Sequence, residues 1–215
     1  LERQAIHAFL HASVITMPPG TRVLDAGAGE APYRELFAHC EYRTTDWSGS
    51  VHPGAADADI IASLDALPVA DQSFDVALLT QVLEHVADPV AVLAELRRVL
   101  VPGGRLLLTV PFVGELHEEP WDFYRYTNHA LSELLLRAGL AAVRVEPAGG
   151  YYTMLGQVMR NCGLATGVET GSPLGLRFVA AGFRAAGSAL PALDRLDRRR
   201  ALPLAWHCEA VRLSD

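Results

Sequence analysis

The sequence predicts an α/β fold in which a parallel sheet is covered by helices, and three observations predict it. From Thr21 onward, apolar β-rich runs alternate with helical patterns. The run FDVALLT, Phe74 to Thr80, is almost unbroken in apolar residues, as befits a strand buried on both faces. At 215 residues and 50% hydrophobic, the chain has material for one ample core and too little for two full domains. Intrinsic disorder is excluded by the same composition, because so apolar a chain can offset its ordering entropy.

The elements follow in order. Leu1 to Thr16 reads as a lone amphipathic helix. Arg22 to Ala26 (RVLDA) is the first strand, running straight into GAGEAP, which opens a helix over Tyr33 to Ala38. Glu41 to Thr45 makes a second strand ending at Asp46, Ala58 to Ala62 a short third, and Phe74 to Thr80 a central fourth. Asp88 is a helix N-cap with Pro89 in the first turn. Val92, Leu93, Leu96, Val99 and Leu100 then recur at helical spacing until Pro102-Gly103-Gly104 ends the helix. Arg105 to Val110 is the fifth strand, stopped by Pro111. Thr127 or Asn128 caps a helix through Arg137 that Gly139 closes. Ala141 to Glu146 is the sixth strand and Leu204 to Leu213 the last. Between them, residues 149–200 carry an excess of small and apolar residues, and a connection of that length must contain helices of its own.

Composition narrows function as well. Twenty-five acidic residues face eighteen basic ones, all arginine, for a net charge of −7. That balance argues against a broad nucleic-acid footprint, which needs Lys and Arg to replace phosphate counterions. Cys40, Cys162 and Cys208 show neither zinc nor redox spacing, so the natural home is a reducing cytoplasm. The N-terminal LERQAIHAFLHASVI lacks the pattern of a secretion signal, and no stretch reaches the roughly 18 apolar residues of a membrane-spanning helix.

Asp25-Ala26-Gly27-Ala28-Gly29 sits where a strand becomes a helix, at the sheet edge where open α/β folds bind ligands. A dinucleotide fingerprint would place a third glycine at position 32, which is Pro32, and this counts against a nicotinamide oxidoreductase. Two acids remain, Asp25 at the end of the first strand and Asp46 at the end of the second. An acid after the second strand suits a ribose diol and one after the first suits an amino group. A ligand with an ammonium, a ribose and no pyrophosphate meets both demands, and S-adenosylmethionine is such a ligand.

These residues resemble the class I S-adenosylmethionine-dependent methyltransferases, in register over roughly Arg22 to Glu146. The motifs are VLDAGAGEAPYRELF, the Asp46 strand end, LDALPVADQSFDVALLTQVLEHVADP, ELRRVLVPGGRLLLTVPF and HEEPWDFYRYT. VLEHV, LVPGG and EPWDFYRYT together look most like a branch met among bacterial polysaccharide, glycolipid and natural-product genes. The resemblance implies one Rossmann-like domain over 1–215, a seven-stranded, mostly parallel sheet of order 3-2-1-4-5-7-6 with helices on both faces, and a helical insertion before the last strand. It further implies that Asp25, Ala26, Gly27, Ala28 and Gly29 wrap the methionine end of the cofactor with Tyr33 close by. Asp46 would hold the ribose and Trp47 lie against the adenine. Ser63, Leu64 and Asp65 occupy the stretch that in relatives presents an aspartate to the adenine amino group, and Ser63 stands where that aspartate would be. Thr80 and Gln81 border the sulfonium side.

Methyl transfer from a sulfonium is an in-line displacement, so a base matters only for a hydroxyl or protonated-amine acceptor. His85 and His117, on loops after the fourth and fifth strands, are the candidates to take a proton. Glu84 and His85 also fit a purely structural capping role, and Trp121, Phe123, Tyr124 and Tyr126 fit a packed lid. A metal held by Glu84, His85 and His117 has no dense ligand spacing behind it, and no metal is expected. Leu174 to Leu190 is apolar apart from Arg177 and Arg184 and is followed by DRLDRRR. It fits a lid, a homodimer interface, or a helix on the inner membrane face beside anionic lipid, as well as ordinary core. The reading is thus a cytoplasmic enzyme methylating a small or sugar-like acceptor, most readily at oxygen. N- or C-methylation of a natural product, and a cofactor-binding module without transfer, stand as alternatives.

Overall fold

A computed structural model describes residues 2–165 and 173–214. Leu1 of the expected N-terminal helix and residues 166–172 of the expected insertion lie outside the described residues. Seven strands form one sheet of order β3-β2-β1-β4-β5-β7-β6. They are β1 (Arg22–Ala26), β2 (Glu41–Asp46), β3 (Ile60–Ile61), β4 (Phe74–Thr80), β5 (Leu100–Pro111), β6 (Leu140–Ala148) and β7 (Ala205–Arg212). β1 runs parallel to β2 and β4, β2 to β3, and β4 to β5, so the carboxyl ends of these five strands share one edge.

The chain divides into two compact units. The larger comprises Ile6–Pro111, Glu115–Glu146 and Trp206–Asp215 and holds most of the sheet. Its core is built on β1, β4 and β5. Val23, Val76, Leu78 and Leu107 pack with Ile6, Phe9, Leu10 and Val14 of α1 (Glu2–Val14) and with Tyr33 and Phe37. The alternate residues Leu24, Leu79, Leu106 and Leu108 are buried too, so both faces are covered, as the unbroken apolar strands require. Helix α2 (Pro89–Val99) starts as its residues dictate: Asp88 accepts the Ala91 N–H at 3.1 Å, Pro89 fills the first turn, and Val92, Leu93, Leu96 and Val99 face inward. In α3 (Asn128–Arg137) Thr127 caps in the same manner, and Gly139, at φ +76°, closes the helix.

Three elements differ from expectation. The helix over Tyr33 to Ala38 is only a 3-10 turn, Arg34–Phe37, long enough to bury Phe37. The third strand shrinks to Ile60–Ile61, set by its two pairings with Thr45 and Asp46. Helix α2 stops at Val99, before the Pro-Gly-Gly signal, because Leu100 pairs with Phe74 and enters β5 fully buried. The signal instead marks an irregularity in β5, where the register shifts and Gly103 takes φ +76°.

The smaller unit comprises Leu1–Ala5, Phe112–Gly114 and Pro147–Ala205 and contains the stretch 149–200 expected to be helical. Helices α4 (Tyr151–Ala165) and α5 (Leu174–Ala189) approach closely where Gly156 faces the Gly187 carbonyl; a Cβ at Gly156 would lie 2.6 Å from that oxygen. Asp194 caps α4, accepting the N–H groups of Gly150, Tyr152 and Thr153. Leu174, Phe178 and Val179 of α5 are exposed. Among the described residues no helix is long and apolar enough to cross a membrane.

Candidate active site

At the carboxyl edge of β1, β2 and β4 lies a cavity of about 350 Å³, within the usual range for small-ligand sites. The turn after β1 forms its floor. Gly27 and Ala28 donate their N–H groups to the Thr45 carbonyl at 2.9 and 3.1 Å, tying the turn to the end of β2. Gly27 has φ +72°, and a Cβ there would lie 2.6 Å from Val82 Cγ2. Only glycine fits this position.

Asp46 organises the neighbouring side. Its Oδ2 accepts the Gly29 N–H and its Oδ1 the Trp47 N–H, both at 2.8 Å. Each carboxylate oxygen keeps a second lone pair, enough to accept one hydroxyl apiece. Trp47, 42% exposed, meets Trp121 edge to face at 5.5 Å between centroids. Asp25 is different, being buried at 1% exposure. Its Oδ2 accepts the Tyr42 hydroxyl, and its Oδ1 has no hydrogen-bond partner among the described residues. Burial pushes this carboxyl up to about 6, against the opposing pull of the Tyr42 hydrogen bond and of Arg34.

Of the residues expected to hold a cofactor, Gly27, Asp46, Trp47, Ser63, Leu64, Asp65 and Gln81 line the cavity. Asp25, Ala26, Ala28, Gly29 and Thr80 sit in the strand ends and turn behind that lining, and Tyr33 belongs to the core beside Phe37. Gln81, at φ +55°, is held by Thr109: its backbone N–H donates to the Thr109 carbonyl at 2.9 Å and its amide to the hydroxyl at 3.1 Å. The lining also includes Val51, His52, Asp88, Glu118 and Phe123, none of which the sequence singled out as ligand-facing. His52 is 3.2 Å from Glu118 and 3.6 Å from Glu30. Its only sequence signal is its place in the loop that follows Asp46-Trp47.

The charge of the lining is one-sided. Asp46, Asp65, Asp88 and Glu118 contribute carboxylates, and among the described residues no arginine lines the cavity. Such a wall favours a cationic ligand and disfavours a pyrophosphate. A sulfonium carrying an ammonium and a ribose fits it: the acids suit the charge, Asp46 the diol, and the Gly27 turn a close backbone approach.

A further wall of the cavity is built by the loop of residues 115–126, stapled onto the turn after β4. Phe123 and Tyr124 donate N–H groups to the Glu84 carbonyl at 2.9 and 3.2 Å, the Tyr124 hydroxyl donates to the Ala87 carbonyl, and the Tyr126 hydroxyl donates to the Leu83 carbonyl at 3.0 Å. The tyrosines of EPWDFYRYT therefore clasp this turn, while Trp121 and Phe123 face the cavity. Arg125 grips both oxygens of Asp122 and the Glu115 carbonyl, holding the Asp122 carboxyl well below the usual range. On this frame His85 and His117 meet, Nε2 to Nε2, at 3.1 Å. His85 Nδ1 donates to the Trp121 carbonyl at 3.2 Å, and His117 Nδ1 to the Glu115 carbonyl at 3.1 Å. Burial lowers the His85 pKa, against the raising influence of Glu118.

Residues 24–108 match the family described as a methyltransferase domain. An uncharacterized methyltransferase of Mycobacterium sp. (strain JLS) is 32% identical over 176 residues, which cover 75% of this chain and 66% of that protein. The malonyl-[acyl-carrier protein] O-methyltransferase of Serratia marcescens is 29% identical over 142 residues, 60% of this chain and 55% of that one. Among solved structures, the 1,6-didemethyltoxoflavin-N1-methyltransferase of Burkholderia thailandensis, with bound 1,6-didemethyltoxoflavin and S-adenosylhomocysteine, shares the fold at a TM-score of 0.57 and 19% identity, covering 97% of this chain and 77% of that one. The chain spans about half the length of several curated relatives that it matches, 42%, 55%, 41% and 41% in four of them. The strand order and the glycine turn at the end of β1 point the same way as these likenesses, and residues 24–108 form a methyltransferase domain of the class I S-adenosylmethionine-dependent kind.

Proposed function

We propose that this protein transfers a methyl group from S-adenosylmethionine to the oxygen of a small or sugar-like acceptor. The observation that carries the reading is the acid-walled cavity at the strand ends, with Asp46 anchored by two backbone N–H groups and free to accept two more hydrogen bonds. When bound, S-adenosylmethionine supplies an electrophilic methyl on a sulfonium. Asp46 would take the ribose hydroxyls, Trp47 would cover the adenine beside Ser63, Leu64 and Asp65, and the turn from Asp25 to Gly29 would hold the methionine end. Thr80 and Gln81 would close the sulfonium side. Trp121, Phe123 and Val86 exclude water above the acceptor, which orients it for in-line attack. Nε2 of His85 or His117 would take the proton of the acceptor hydroxyl, and the oxygen lone pair so freed would form the new bond to the methyl carbon as the carbon–sulfur bond breaks and S-adenosylhomocysteine leaves.

Calorimetry with S-adenosylmethionine or S-adenosylhomocysteine tests the cofactor half: micromolar binding is expected, weakened about 100-fold or more in Asp46→Ala, and no binding by the intact protein would sink the reading. Incubation with labelled methyl donor and candidate glycans tests transfer. His117→Ala should lower turnover about 100-fold or more with cofactor affinity preserved, whereas cofactor binding without label transfer to any acceptor would favour a binding module.

A further inference from the structure

The contact between His85 and His117 is incomplete as it stands. Carbonyl oxygens only accept hydrogen bonds, so the bonds to Trp121 O and Glu115 O place a proton on Nδ1 of both rings. In the neutral pair each Nε2 then carries a lone pair, and the two are aimed at one another across 3.1 Å. Two lone pairs at that distance repel unless something positive stands between them. A third donor converges on the same point. The Glu84 carboxylate, from a side chain with no solvent exposure, comes within 3.8 Å of His85 Nε2, and one ligand atom from each of Glu84, His85 and His117 lies within 4.8 Å of the others.

A shared proton would satisfy two donors, and this site offers three. We infer that Glu84, His85 and His117 form a site for one divalent transition-metal ion of the zinc type, at the edge of the cavity. Bonds of about 2.1 Å in a tetrahedron separate ligand atoms by about 3.4 Å, a value bracketed by the 3.1 and 3.8 Å found between these donors. Both imidazoles already have the outer support that ligating histidines use, with the second ring nitrogen on a backbone carbonyl, and Asp122 adds a carboxylate 3.5 Å from His117 Nδ1. Two imidazoles and a carboxylate leave a fourth position, and His85 borders the cavity. With both Nε2 lone pairs on the ion, the ion would replace the rings as the means of activation: a hydroxyl oxygen of the acceptor in that position would be oriented and acidified, releasing its proton to solvent beside the exposed His117. Only this consequence for catalysis rests on the methyl-transfer reading; binding of the ion does not.

The test loads the intact, chelator-stripped and dialysed protein with zinc or cobalt(II) chloride. One equivalent per chain and the visible absorption of four-coordinate cobalt are expected. His117→Ala and Glu84→Gln should each weaken binding about 100-fold or more, since loss of outer support alone costs 10- to 100-fold. His117 is the more exposed ligand, so its variant keeps the test sound if Glu84→Gln does not fold. Substoichiometric binding, or equal binding by His117→Ala, overturns the inference and leaves a shared proton between the rings. Calorimetry with S-adenosylhomocysteine on the same metal-free samples keeps this outcome distinct from failure of the methyltransferase reading.

Discussion

Replacing Asp25 by asparagine should make the protein more stable above pH 6 while weakening its hold on the cofactor. The carboxyl is buried, with one oxygen on the Tyr42 hydroxyl and the other without a hydrogen bond among the described residues. Burial raises its pKa from 3.8 to about 6. A folded-state pKa above the unfolded value means that the native state keeps a proton between pH 3.8 and 6 that the unfolded chain has lost. Stability therefore falls as the pH rises through that window and stays depressed above it. The rise from 3.8 to about 6 corresponds to about 3 kcal/mol.

Asparagine removes this titration and still accepts the Tyr42 hydrogen bond. Its amide N–H groups, if they find no partner, cost about 1–2 kcal/mol at every pH. The expected net gain is thus about 1–2 kcal/mol at pH 8, turning to a loss near pH 4. Urea unfolding of both proteins at pH 4, 5, 6 and 8 measures it. The diagnostic quantity is the change in the stability difference with pH, from which any fixed cost of the amide cancels. All other titrating groups are common to the two proteins and drop out as well. A difference that stays flat across the series would refute the argument that Asp25 is held as a costly buried carboxylate.

Gly27→Ala should destabilise the protein by about 1–3 kcal/mol and abolish cofactor binding, because the residue combines φ +72° with a Cβ position 2.6 Å from Val82. Adding Val82→Ala should recover the steric part in a thermal melt and leave the backbone part. Tyr126→Phe removes a buried hydrogen bond to the Leu83 carbonyl and should cost about 1–2 kcal/mol. Since Leu83 precedes Glu84 and His85, turnover should fall with cofactor affinity unchanged; equal losses in both would show that the clasp supports the whole cavity.

How much of the fold was legible follows from what each residue's neighbours decide. The spans Arg22–Ala26 and Phe74–Thr80 and the caps Asp88 and Thr127 match the expectation, because a doubly buried strand and a capped helix declare themselves within a few residues. The end of α2 did not. Its periodicity continues through Leu100, yet that residue is claimed by a strand partner, Phe74, which no local pattern reveals. The bounds of α4 were illegible for a related reason, whereas α5 (Leu174–Ala189) falls on the segment Leu174 to Leu190 that reads as an apolar helix. Their contact runs through Gly156 and Gly187, so the usual stripe of large apolar residues is absent from the very place where they meet.

The site divides along the same line. The places of Asp46 and the Gly27 turn at the cavity could be read from the sequence because both lie at strand ends, and parallel strands bring successive ends to one edge. That topology also requires His85, after β4, and His117, after β5, to share an edge although 32 residues separate them. Their convergence with Glu84 was therefore implicit in the strand order, although nothing in the linear spacing announces it. What the sequence could not supply is the direction of the lone pairs. It is fixed by the carbonyls of Trp121 and Glu115, main-chain atoms placed by the Asp122–Arg125 grip and the tyrosine clasp. The chemistry of the two histidines thus depends on the loop that holds them at least as much as on the rings themselves.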